Sequence, residues 1–179
     1  SQAERMCSLL TDPEKLGGAV PWTTVARSDP DFAPDNGRYW RGSVWLPTAY
    51  MGIKSLERYG KFDLANDTAR RIVAHMYRTF KEYEPHTIWE CYNPDTPMPA
   101  RTAHGVEIVR PDFCGWSALG PISLFLENII GVTGADAFEN TLEWHLPPAV
   151  RGAIGVRNYS FGDVVTDAVY RDGVIETVS

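Results

Sequence analysis

The sequence predicts a mainly α chain closed by a small antiparallel β appendage. Two stretches repeat apolar residues at the helical period, and a third apolar run follows a proline-rich loop. Beyond Gly134 the period falls to two.

Residues 2–10 read as a short helix ended by Asp12-Pro13. Gly17 to Gly42 is rich in Pro, Asp and Gly and reads as a long loop, kept ordered by Trp22, Phe32, Tyr39 and Trp40. A helix starts near Leu46-Pro47, where proline loses no helical bond. Leu46, Tyr50, Ile53, Leu56 and Tyr59 share one face, and Gly60 closes it. The next helix aligns Phe62, Ala65, Ala69, Ile72, Val73, Met76 and Phe80 over about five turns, with Asp63 as its cap. Arg70, Arg71 and Lys81 read as its solvated face. Residues 84–115 hold five prolines and read as loop. A third helix is expected from about Gly115 to Ile130, stopping at Gly131.

The alternation in Leu142–Leu146, Val156–Phe161, Val164–Tyr170 and Val174–Val178 predicts strands, with Asp172-Gly173 as a hairpin turn. The expected domains are therefore 1–133, helical, and 134–179, β. Helix and loop spacings of roughly 20 and 30 residues are those of stacked α-hairpins.

Composition narrows the function classes. The 179 residues are 44% hydrophobic and 22% charged, as in a globular chain. A formal net charge of -6 argues against nucleic acid or an anionic membrane as partner, and no apolar run is long enough to span a bilayer. The opening SQAERMCSLLTDPEK has no signal-peptide pattern, and the initial Ser1 reads as the start of a processed or cloned fragment. Nothing in the sequence assigns a compartment. Cys7, Cys91 and Cys114 form no CxxC or metal-finger spacing and read as thiols. His86 and His104 lack partners at metal-ligand spacing, so no metal is expected. GxSxG, GxGxxG and P-loop patterns are absent.

Aromatic residues make up 12% of the chain, many beside Gly, Asn, Asp and Arg in loops. Such clusters suit a sugar site, where a pyranose face stacks on a ring and polar groups take the hydroxyls. The apolar faces also exceed what a few helices and a small sheet can bury. We therefore expect packing on absent N-terminal helices or on a second copy of the chain.

Three motifs stand out: YWRGSVWLPTAY from Tyr39, WECYNP from Trp89 and FCGWSA from Phe113. In this order they resemble the YWRG-x-x-W-x-P-x-x-Y, E-x-Y-x-P and FGWSA segments of glycoside hydrolase family 63 and mannosylglycerate hydrolase. The family 37 trehalases are more distantly similar. The resemblance covers residues 20–131. It implies the C-terminal part of an (α/α)6 toroid with a β appendage, and an inverting glycosidase without a cofactor. It also implies that Glu90 is the general base, the acid being an Asp in a segment this chain lacks. The implied substrate is an α-linked glucoside, mannoside or related small oligosaccharide.

The residue chemistry agrees. Inversion needs two carboxylates about 6.5–9.5 Å apart, one activating water and one protonating the leaving oxygen. Tyr92, Asn93 and Arg41 are expected to keep Glu90 ionised. Trp40, Trp45, Trp89 and Trp116 are expected to form a stacking wall, with Tyr39 beside them. Asp112 either caps the third helix or binds a sugar hydroxyl. The competing readings are a non-catalytic carbohydrate-binding module and a related rhamnosidase-like or debranching enzyme.

Overall fold

The computed structural model describes residues 1–33, 37–147 and 150–178. Residues 34–36 of the expected Gly17–Gly42 loop lie outside this range. The chain divides into two compact units, Ser1–Leu124 and Phe125–Ser179.

The first unit contains α1 (Gln2–Thr11), α2 (Leu46–Arg58) and α3 (Phe62–Glu82). Pro47 stands in the first turn of α2, as the sequence predicts. Lys61, not Asp63, precedes α3, and no side chain caps that helix; Asp63 sits in its first turn. α2 and α3 pack together, burying Leu46, Ala49, Ile53 and Leu56 from one, and Ala65, Ala69, Ile72 and Met76 from the other. The expected third α-helix takes another form. Trp116–Leu119 is a 3-10 turn, and Gly120–Ile130 winds as a π-helix. A Cβ on Gly120 would meet the Met76 sulfur and Leu46, so the bare glycine permits close approach to α2 and α3.

The mainly α expectation and its toroid do not hold. Among the described residues helix accounts for 34% and strand for 23%, and no ring of α-hairpins is evident. Residues 84–115, with Pro85, Pro94, Pro97, Pro99 and Pro111, supply no helix and run as extended segments and turns. Single-residue bridges tie these to the earlier loop at Val44–Tyr92 and Arg38–Arg101, while Thr23–Val44, Tyr92–Pro99 and Arg101–Ile108 are made within each stretch.

In the second unit, β1 (Val132–Asp136) pairs with β2 (Thr141–Trp144), and β3 (Ala153–Phe161), β4 (Val164–Arg171) and β5 (Val174–Val178) form an antiparallel sheet. The β3–β4 register shifts between Val156 and Tyr159. Asp172 and Gly173, both at positive φ, make the turn between β4 and β5. Ile130, Val132, Val156 and Ala168 are its buried core, with Leu142, Trp144 and Tyr159 packed around them. No helix among the described residues is long and apolar enough to cross a membrane.

Candidate active site

Glu90 sits in an extended strap whose neighbours are buried on both sides, Trp89 before it and Cys91 and Tyr92 after it. Backbone bonds fix the strap. The Glu90 amide donates to the Arg110 carbonyl at 3.0 Å, and the Ala100 amide donates to the Cys91 carbonyl at 3.2 Å. Val44 and Tyr92 exchange amide-to-carbonyl bonds of 2.9 and 3.0 Å, which brings the Tyr39–Trp45 turn beside Glu90.

That turn is tight. The Trp45 indole donates to the Tyr39 carbonyl at 3.2 Å, and the Ser43 hydroxyl donates to the Gly37 carbonyl. Tyr39 has φ 51°. Gly42 has φ 120°, and a Cβ there would lie 2.5 Å from the Phe32 ring, so glycine is required on both counts.

The outcome is a hydrogen bond of 2.9 Å from the Tyr39 hydroxyl to Glu90 Oε1. Burial first, then this bond, raises the Tyr39 phenol above its ordinary pKa, so it remains a donor. Among the described residues, Glu90 Oε2 accepts no hydrogen bond. The Glu90 carbonyl is held separately, by the Ser117 hydroxyl at 2.9 Å and the Trp116 indole at 3.4 Å. The carboxylate is thus aimed from two sides, with one oxygen left to take a proton.

Three of the four expected tryptophans gather here. Trp40 stacks on Trp45 at 4.0 Å with planes 5° apart. Trp116 lies 5.9 Å from Trp45, and Phe113 packs on Trp116. Trp45 is buried, whereas Trp40 is 50% and Trp116 43% exposed. With one face of Trp40 covered by Trp45, the exposed part of the ring is available to stack on a sugar.

Other expected residues lie elsewhere. Trp89 is 3% exposed and packs edge-on to Tyr83, so it belongs to the core. The Tyr92 hydroxyl accepts the Trp89 amide at 3.1 Å, and Asn93 Oδ1 accepts the Asp95 and Thr96 amides, so both shape the strap. Arg41 is exposed and its Nε donates to the Asp31 carbonyl at 2.9 Å. Asp112 caps no helix; its Oδ1 accepts the Thr87 hydroxyl at 2.6 Å, and its amide donates back to Thr87 at 3.2 Å. It latches the two ends of the 87–112 segment.

Ser117 and Thr87 escaped the sequence reading. Ser117 lies inside FCGWSA, but its bond to a carbonyl across 27 positions has no periodic signature. The three cysteines are free thiols. No cluster of three metal-ligating side chains occurs among the described residues.

Comparison with known proteins bears on this arrangement. Over 148 residues, 80% of its length, the chain is 31% identical to an uncharacterized protein of Borreliella burgdorferi, covering 31% of that protein. Over 126 residues, 65% of its length, it is 26% identical to the mannosyl-oligosaccharide glucosidase of Saccharomyces cerevisiae, covering 14% of that enzyme. The chain thus spans a minor part of both relatives. The profile of the mannosylglycerate hydrolase MGH1-like glycoside hydrolase domain matches residues 1–105, which include the Tyr39 turn and Glu90. The chain belongs to the MGH1-like glycoside hydrolase domain family.

Proposed function

We propose that this chain carries the general-base half of an inverting glycoside hydrolase of family 63 or trehalase-like type. Glu90 takes a proton from water through Oε2, while Tyr39 holds Oε1. Trp40 and Trp116 receive the apolar face of the sugar. The acid, an Asp, lies outside this chain, so hydrolysis requires the longer polypeptide. The substrate is an α-linked glucoside, mannoside or related oligosaccharide, in keeping with the name of the yeast relative. The observation that carries this reading is the 2.9 Å bond between Tyr39 and Glu90 beside a half-exposed tryptophan platform.

The test is hydrolysis of a panel of α-glycosides by the full-length gene product, with product anomers followed by NMR. Glu90→Gln should lower kcat by about 10²–10⁴ while sugar affinity is retained. The platform alone also fits a non-catalytic sugar-binding segment. Under that reading the full-length protein shows no turnover, and Glu90→Gln changes affinity alone.

A further inference from the structure

His75 stands on the inner face of α3, 1% exposed. Among the described residues neither ring nitrogen makes a hydrogen bond of good geometry. The ring meets Tyr92 edge-on, centroids 6.1 Å apart and planes at 75°. Tyr92, itself 2% exposed, accepts the amide of Trp89, the residue before Glu90. An unbroken set of contacts therefore runs from His75 through Tyr92 to the backbone that carries the carboxylate.

We propose that His75 is a positioning residue, a neutral wedge that seats Tyr92 under the Trp89–Glu90 strap, and that protonating it releases the strap. The Asn93 backbone offers a charged imidazolium only partial compensation at this buried site, so the ring must move toward water or admit water. Either movement withdraws the ring from Tyr92. Arg78 on α3 opposes the proton, whereas the Asn93 backbone and Asp95 on the strap favour it. Burial outweighs them and lowers the His75 pKa from 6.5 to about 4, so the wedge is neutral at neutral pH. The release is a property of this chain. Only its consequence for catalysis rests on the Glu90 reading.

The experiment is amide hydrogen exchange of the purified chain at Trp89, corrected for intrinsic rates, with the His75 ring proton followed by NMR. In the wild type, opening at Trp89 should rise about tenfold per pH unit below 6.5. Tyr92→Phe should expose this amide at every pH. His75→Phe, which fills the space without a titratable nitrogen, should keep the amide protected and abolish the acid slope. An acid slope retained in His75→Phe overturns the proposal. Should that variant not fold, the wild-type ring decides: titration at its ordinary pKa with unchanged Trp89 protection also overturns it. Loss of turnover in Glu90→Gln is read separately, so either proposal can fail without the other.

Discussion

The strap and loop region between Thr23 and Ala100 and the β unit of Phe125–Ser179 hold themselves together by opposite means. In the β unit the same bond repeats: β3, β4 and β5 pair residue after residue. In the loop region each extended crossing is a bridge of one residue, Val44 standing between Thr23 and Tyr92. Its remaining order comes from scattered backbone bonds, such as Glu90 to Arg110, and from side chains bound to distant backbone, such as Ser117 to Glu90 and Trp22 to the Leu10 carbonyl at 3.0 Å. A ladder tolerates the loss of one rung, whereas a crossing made once does not. The irregular construction permits what a regular sheet does not, a carboxylate and three indoles converging from segments 50 residues apart.

Core deletion should show the contrast most strongly. Ile53 on α2 is fully buried, so Ile53→Ala should cost about 2–5 kcal/mol. Val156→Ala, in the four-residue core of the β unit, removes two buried carbons and should cost roughly 1.6 kcal/mol. Urea denaturation followed by far-ultraviolet circular dichroism measures both. Equal losses would break the comparison.

Acid should act on the loop region next. His75 is neutral when folded because burial lowers its pKa from 6.5 to about 4. Between these values the unfolded chain binds a proton that the folded chain refuses. The associated stability is therefore complete above pH 6.5 and declines as pH falls toward 4, by about 3 kcal/mol in all. Denaturation midpoints at several pH values should fall along this limb in the wild type, and less steeply in His75→Phe.

A smaller effect belongs to the buried Ser117, whose hydroxyl holds the Glu90 carbonyl. Ser117→Ala should cost about 1 kcal/mol, since the Trp116 indole remains as a weaker donor to the same oxygen. Full-length turnover should fall with it if the carbonyl bond aims the carboxylate. An unchanged kcat alongside lowered stability would limit Ser117 to a structural part.

The same contrast explains how much the sequence discloses. Periodicity locates α2, α3 and four strands of the β unit, because each depends on neighbours at fixed spacing; β1, which has no such alternation, is not foreseen. Asp172-Gly173 announces its turn for the same reason. Motif resemblance brings Tyr39, Trp40, Trp45 and Trp116 to the neighbourhood of Glu90. It does not disclose that Tyr39, rather than Tyr92, donates to the carboxylate, because Tyr92 is turned inward by its pairing with Val44. Trp89 and Trp45 look alike in sequence and are equally buried; the difference is their neighbours, Tyr83 for Trp89 and Trp40 for Trp45. The π winding of Gly120–Ile130 has no sequence signature that we can name.

The least effect is expected at the β1–β2 turn, where a local bond can be removed without touching a crossing. Asp136 Oδ1 accepts the Phe138 amide at 2.8 Å and the Glu139 amide at 3.0 Å, an Asx turn that sets the hairpin. Both amides are exposed residues' groups, so water replaces the carboxylate when it is lost. Asp136→Ala should therefore cost only about 0.5–1 kcal/mol, the net worth of an exposed hydrogen bond. Asp136→Asn, which keeps the accepting oxygen, should restore most of it. Hydrogen exchange should quicken at Phe138 and Glu139 in the alanine variant, with Val164–Arg171 unchanged because its ladder bonds lie in another sheet. Faster exchange along β4 would mean that the repeated bonds of the β unit depend on this single turn, and the contrast between its redundancy and the singly made crossings near Glu90 would fail.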